Sequence, residues 1–382
     1  ERQKIEAEYA DVIQTIALLE DLLANPRKIL FLTREELTEL REAYADDRRT
    51  RIVASDGETL AAEDLIPDET VLISISRRGY IKRTPAKAYR SRAGRGRGIA
   101  GMSIRAEDAV QHLFAANSLA GVLFFSNRGK VFQEKVYQIP DAQRQARGIP
   151  LGNLLTLSRG ERITAALPVP SFEETAFLTM VTRQGRIKRV ALGELASVRR
   201  SGLVAIKLEK GDELGWVRLT NGDQEIILVT KRGKALRFSE TAVRPQGRAG
   251  AGVWAIRLAG GDAVTSVDVV EPEGQLLVMT AHGYGKRTSL SEFPTKGRHG
   301  GGMVTLHQKH LSQTGPIVAA RVVGLKSEVT IITAEGMALR THVENFPQQG
   351  RASRGKRVID LEAGDVVASV ARLAEKPVKR ET

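Results

Sequence analysis

The chain has 382 residues, with 58 basic and 45 acidic side chains, a formal net charge of +13 and a pI near 10. Hydrophobic residues make up 42%, enough for a substantial core, and there is no cysteine, which excludes disulfides, thiolate metal sites and a cysteine nucleophile. No apolar run is long enough to cross a bilayer, and no basic amphipathic helix carries an aromatic face, so nothing points to a membrane.

The charge is unevenly spread. Residues 1–50 hold twelve acidic and eight basic side chains, which leaves 33 acidic and 50 basic for the remainder. Such an imbalance needs a polyanionic partner or tolerates strong self-repulsion. Nucleic acid is the first candidate and an anionic membrane surface the second.

The chain opens, at Glu1 and without a signal peptide, inside a helical pattern, as a fragment of a longer protein would. Ile5, Tyr9, Val12, Ile13, Ile16, Leu19, Leu22 and Leu23 recur at helical spacing. Asn25 followed by Pro26 reads as an N-cap and first helical residue. The second helix runs to about Ala45, with Leu30, Leu37, Leu40 and Tyr44 on its apolar side. Thr33 and Glu36 form a capping box if the helix restarts there. Asp46, Asp47, Arg48 and Arg49 end it. This region, 1–50, reads as an αα-hairpin or the end of a coiled coil.

Beyond residue 65 the pattern becomes short β runs and many glycines, and it repeats. An apolar strand, a polar turn with glycine and a basic strand recur at 71–83, 121–132, 177–189, 225–237, 276–287 and 328–340. Their turn glycines are Gly79, Gly129, Gly185, Gly233, Gly283 and Gly336. A second motif, an apolar strand before Gly-Asp or Gly-Glu, keeps the same register at Gly160, Gly211, Gly261 and Gly364, with a degenerate copy near Ser312–Pro316. Units of about 50 residues have room for four strands that bury little alone and must stack on neighbours. The expectation is an all-β ring of six propeller-like units over 51–374, with a short tail at 375–382.

The densest chemical signal is residues 71–106, which contain Arg77, Arg78, Lys82, Arg83, Lys87, Arg90, Arg92, Arg95, Arg97 and Arg105 and no acid. Glycines such as Gly96 and Gly98 between arginines let the backbone approach a phosphate, and guanidinium forks match its oxygens. The match of Gly96, Gly98 and Gly101 to a dinucleotide fingerprint lacks the βαβ context that motif needs. The same inter-strand position is basic in the other units: Arg144 and Arg147; Arg199 and Arg200; Arg244 and Arg248; Lys296 and Arg298; Arg351, Arg354 and Lys356. On one ring these form a basic track. His307 and His310 have a metal-like spacing without a third ligand. Trp216 and Trp254 read as core or packing residues. No paired carboxylates, nucleophile elbow or phosphate-binding loop of the nucleotidases is present, so no catalytic residue is assigned.

Segments 79–102, 125–150 and 282–303, in this order and after a helical lead-in, resemble successive blades of the C-terminal domain of DNA gyrase A. The resemblance implies a β-pinwheel whose blades exchange strands and whose rim bends DNA. It implies duplex DNA, a cleavage core and gyrase B in an A2B2 complex as partners. ATP and magnesium would lie on other domains, with no cofactor or metal here, and the setting would be the bacterial cytoplasm and nucleoid. The family's catalytic tyrosine matches none of Tyr9, Tyr44, Tyr80, Tyr89, Tyr137 or Tyr284. The family's box, Gln-Arg-Arg-Gly-Gly-Lys/Arg-Gly, falls on Arg92, Ala93, Gly94, Arg95, Gly96, Arg97 and Gly98; the last three positions fit and the first four do not. Two alternatives remain at this point: the corresponding domain of topoisomerase IV, and a propeller-like scaffold for acidic proteins.

Overall fold

In the computed structural model the described residues are 1–45, 65–86, 110–143, 146–172, 176–335 and 337–372. They form two compact units, Glu1–Leu60 and Ala61–Thr382. In the first, helix α1 (Arg2–Ala24) meets helix α2 (Pro26–Tyr44) at Asn25. The Asn25 side chain accepts a hydrogen bond from the Arg27 N–H at 3.2 Å, and Pro26 takes the first helical position. The helix does not restart at Thr33: its hydroxyl donates to the Ile29 carbonyl one turn back, so no capping box forms. Neither helix buries a residue.

The second unit is a ring of six small antiparallel sheets. In the first blade, Val110–Asn117 lies innermost, followed by Thr70–Ser76, Tyr80–Pro85 and, outermost, Ile149–Pro150. That last strand comes from the second repeat. Every later junction repeats the exchange. Leu203–Val204 joins the second blade, Val253–Trp254 the third, Met303–Val304 the fourth and Lys356–Arg357 the fifth. The sixth sheet, Ala338–His342, Glu328–Thr333 and Val367–Arg372, has three strands among the described residues. Innermost strands touch from blade to blade, and Val367–Arg372 meets Val110–Asn117, which brings the last blade to the first.

The uninterrupted apolar strands of the sequence follow from this stacking. Gly121–Ser126 is buried throughout because both of its faces are covered. Its side chains alternate between two cores. Val122 and Phe124 pack with Ile73 and Ile75 of the first blade, and Leu123 and Phe125 pack with Leu178 and Met180 of the third. Further on, Val181 joins Ile226 and Leu228, Ile227 joins Leu276 and Val278, and Leu277 joins Val329 and Ile331. Each such side chain contributes roughly 1.5–3 kcal/mol by leaving water, and none is covered until the neighbouring blade arrives.

The second repeated motif secures the hairpin turns. Asp212 Oδ1 accepts from the Gln184 N–H at 3.0 Å, Asp262 Oδ1 from Arg232 at 2.9 Å and Asp365 Oδ1 from Glu335 at 3.1 Å. The second blade uses Glu161, whose Oε1 accepts from the Ser126 hydroxyl at 2.6 Å. In the degenerate fifth copy the Thr314 carbonyl replaces the carboxylate, accepting from the His282 N–H at 2.9 Å. One or two residues later the chain ties to the preceding blade, as where the Val264 N–H donates to the Arg183 carbonyl. The two motifs share a period because one caps the other.

Candidate nucleic-acid interface

Sheet order decides where the basic segments lie. Each leads into an outermost strand, so it runs along the rim. Five such loops are seen among the described residues: 141–143 and 146–148 on the first blade, 199–202 on the second, 244–252 on the third, 294–302 on the fourth and 347–355 on the fifth. The chain joins each outermost strand through a glycine. At Gly252 the backbone has φ +75°, and a Cβ would lie 2.5 Å from the Ile187 carbonyl oxygen. Only glycine permits both the left-handed conformation and this approach.

Along these loops Arg199, Arg200, Arg244, Arg248, Lys296 and Arg354 are exposed, as is Lys356 on the strand that follows the fifth, while Arg147, Arg298 and Arg351 are partly buried. Some guanidiniums are already engaged. Arg200 pairs with Glu134 and Gln138. Arg298 donates to the Trp254 carbonyl, and Arg354 donates to Gln313 Oε1 at 2.7 Å. The Arg147 guanidinium lies 3.6 Å above the centre of the Tyr80 ring, and that of Arg354 lies 5.6 Å from Tyr284.

Arg77 and Arg78 are exposed, but they sit on the first hairpin turn, where Arg77 reaches the Ala334 carbonyl at 3.4 Å. Arg128, Arg183, Lys231 and Arg232 hold the equivalent turns of the next three blades and are exposed too. The first four blades carry this second basic series, which lapses at Ala281 and His282 in the fifth and at Ala334 and Glu335 in the sixth, and sequence reasoning singles out only its first member.

One expectation needs correction. Lys82 is fully buried, and its ammonium donates to the Gln143 carbonyl at 3.1 Å, so it shapes a loop instead of meeting a phosphate. Arg83, beside it, is partly buried and bridges to Asp141 through its main chain. Of the core and packing readings of Trp254, the packing one holds. It is 41% exposed on an outermost strand, with Arg186 4.5 Å from its ring centre and His299 stacked at 6.4 Å. Trp216 does pack on the core between the third and fourth blades. His307 and His310 meet edge to face, and among the described residues no cluster of three metal-ligating side chains exists. Lys87, Arg90, Arg92, Arg95, Gly96, Arg97, Gly98, Arg105 and Arg144 lie outside the described residues. Among the described residues no helix is long and apolar enough to cross a membrane.

Comparison with known proteins agrees with this architecture blade by blade. The family described as DNA gyrase C-terminal domain, beta-propeller matches residues 70–117, 122–170, 176–221, 224–271, 274–323 and 327–374. The DNA gyrase A protein of Halalkalibacterium halodurans is 52% identical over 98% of this chain, and that of Clostridium acetobutylicum 42% identical over 98%. The chain spans 44% and 45% of those two relatives, so it corresponds to less than half of each and does not cover their catalytic core. Among solved structures, the C-terminal domain of DNA topoisomerase IV superposes with a TM-score of 0.69 at 28% identity, covering 81% of this chain and 94% of that one. A DNA gyrase A C-terminal domain gives 0.68 at 24% identity, covering 80% and 100%, and supports the fold. With six matched repeats, six sheets and relatives aligned from end to end of the sequence, the chain belongs to the DNA gyrase C-terminal domain family.

Proposed function

We propose that this chain binds duplex DNA along its rim without sequence preference and bends it. The bent duplex presents a positive crossing to a cleavage core. The gyrase holoenzyme, an A2B2 complex in which gyrase B hydrolyses ATP with magnesium, then introduces negative supercoils. The observation that carries this reading is the placement of the basic loops: all five described ones lead into the outermost strand of a blade. A cationic central face would instead favour an acidic protein as partner. The relatives named as DNA gyrase A, at 38–52% identity over nearly the whole chain, favour gyrase over topoisomerase IV.

The energetics call for several blades. Bending 20–30 base pairs by 40–90° costs on the order of 1–6 kcal/mol, and a longer wrap costs more. Contacts to phosphates along successive loops offset that cost, and arginine suits them because its fork engages two oxygens at once. Such binding weakens steeply with salt, because releasing the DNA's counterions gains less free energy in a more concentrated solution. The residues proposed to hold DNA are the exposed cations of the rim loops, joined by Arg92, Arg95 and Arg97 of the first repeat. The test is ligation of a nicked circle in the presence of this chain. Topoisomers shifted to positive writhe are expected, and a product identical to the protein-free control would overturn the reading.

A further inference from the structure

The rim is not six-fold. At the third position of the second hairpin strand, the first, third and fifth blades carry Lys82, Lys188 and Lys286, all at most 2% exposed. The second and fourth carry Phe132 and Leu236, equally buried. A lysine inside a β core is costly unless its ammonium is well coordinated. Here it is, and the acceptors come mostly from the rim loop of the following repeat. Lys82 Nζ donates to the Gln143 carbonyl. Lys188 Nζ donates to the Arg248 carbonyl and, at 2.6 Å, to Ala205. Lys286 Nζ donates to the Gly350 carbonyl at 3.0 Å, the Arg351 carbonyl at 2.6 Å and the Ser353 hydroxyl at 3.2 Å.

Further contacts follow the same alternation. In these three blades the residue after the lysine forms a parallel bridge to the loop, Arg83 to Asp141, Arg189 to Pro245 and Arg287 to Gln348. In the same three, an arginine and an aromatic ring face each other across the blade and the exchanged segment: Arg147 with Tyr80, Arg186 with Trp254 and Arg354 with Tyr284. In the second and fourth blades carbon stands in place of the ammonium, although the Lys296 N–H of the fourth loop still donates to the Arg237 carbonyl at 2.8 Å. Gly202 lies against the Phe132 ring, and Gly300 lies beside Leu236.

We propose that Lys82, Lys188 and Lys286 are positioning residues that fix the rim loops of the first, third and fifth blades as preset phosphate anchors. Two consecutive loop carbonyls turned onto the Lys286 ammonium set the peptide planes on either side of Arg351, and the Ser353 hydroxyl ties the ammonium to the residue before Arg354. A loop ordered before DNA arrives loses less entropy on binding. The wrap therefore engages firm loops at every second blade, with more adaptable ones between. This assignment rests on the rim as the DNA surface.

Amide hydrogen exchange on the whole chain, without DNA, tests the ordering directly. Slower exchange is expected at 348–355 on the fifth blade than at 297–302 on the fourth. In Lys286→Met, exchange at 348–355 rises about tenfold or more while 297–302 stays unchanged. Equal protection of the two loops in the unaltered chain, or an unchanged 348–355 in the variant, overturns the proposal. Binding of a short linear duplex at several salt concentrations then tests the consequence. Although Lys286 cannot reach a phosphate, its replacement lowers the slope of log affinity against log salt by about one to two, and an unchanged slope overturns the anchor role. A chain that fails to bind DNA at all defeats the functional reading, while the exchange comparison still decides whether the lysines order the loops.

Discussion

Arg218 and Asp268 occupy the same place in the innermost strands of consecutive blades, opposite Thr179 and Ile227, and are joined from Nε to Oδ1 at 3.0 Å. The other Asp268 oxygen accepts from the Val322 N–H of the next blade at 3.0 Å. One partly buried carboxylate thus ties three blades together at the axis. Arg321, at the equivalent place in the fifth blade, faces Asp268 and Arg218. Replacing Asp268 by Ala leaves two guanidiniums near each other without their shared counter-charge. A loss of about 3 kcal/mol is expected, read as a lowered denaturation midpoint. Asp268→Asn keeps the main-chain contact and should lose less.

His112 of the first blade lies near the same cluster and sets a pH dependence. Burial, then Arg321 and Arg218, lower its pKa from 6.5 to about 4. Below pH 6.5 the unfolded chain takes up a proton that the folded ring refuses. This contribution to stability is therefore complete above pH 6.5 and is lost as pH falls through about 4. The difference amounts to at most about 3 kcal/mol. Comparing the unfolding of the unaltered chain and His112→Gln at pH 7 and pH 4.5 isolates it: the gap between the two proteins should change with pH. Parallel pH curves would show that His112 titrates normally.

The blade count was legible because the hairpin turn and the Gly-Asp turn are local chemistry, repeated with a fixed period. The helix boundary at Asn25 and Pro26 was legible for the same reason. Strand exchange was not readable from the residues themselves, since Ile149–Pro150 and Leu203–Val204 are too short to carry a pattern and pair with strands of another repeat. The resemblance supplied it. Charge alone also could not separate cations on the surface from cations beneath it. Lys82 and Arg78 belong to one basic run, yet one lies inside the blade and the other on its turn. What distinguishes them is strand alternation read against both neighbouring blades, which requires the stacking to be known. For Trp254 the sequence left core and packing open, because an aromatic residue beside glycines fits either until sheet order places it on the rim.

The rim cations should not contribute equally. Arg248 is exposed, and no hydrogen bond or ion pair of its side chain is present among the described residues. Arg200 is held by Glu134 and Gln138. Arg248→Ala is expected to lower the salt slope of DNA binding by about one and to weaken binding alike for all sequences. Arg200→Ala should cost less, because freeing its guanidinium for a phosphate first leaves Glu134, only 5% exposed, without its partner. Fluorescence titrations of one duplex at four salt concentrations separate the two, and a larger loss for Arg200 would mean that it leaves Glu134 on binding.

Two glycines on neighbouring segments give opposite expectations for one substitution. Gly252 combines φ +75° with a Cβ position 2.5 Å from the Ile187 carbonyl oxygen, where no flexible side chain can yield. Gly252→Ala must shift the loop away from the hairpin strand to which Val253 pairs through Ile187. A loss of well over 1 kcal/mol is expected, together with weaker DNA binding through the displaced Arg248. Gly260 has open space around its Cβ position and no positive φ. Gly260→Ala should leave stability unchanged or raise it by a few tenths of a kcal/mol, through a less flexible unfolded chain. Denaturation midpoints of the two variants measured side by side check the pair. Equal midpoints would show that the rim loop can move away from the third blade at little cost, and that a fixed loop path is not what the left-handed glycine provides.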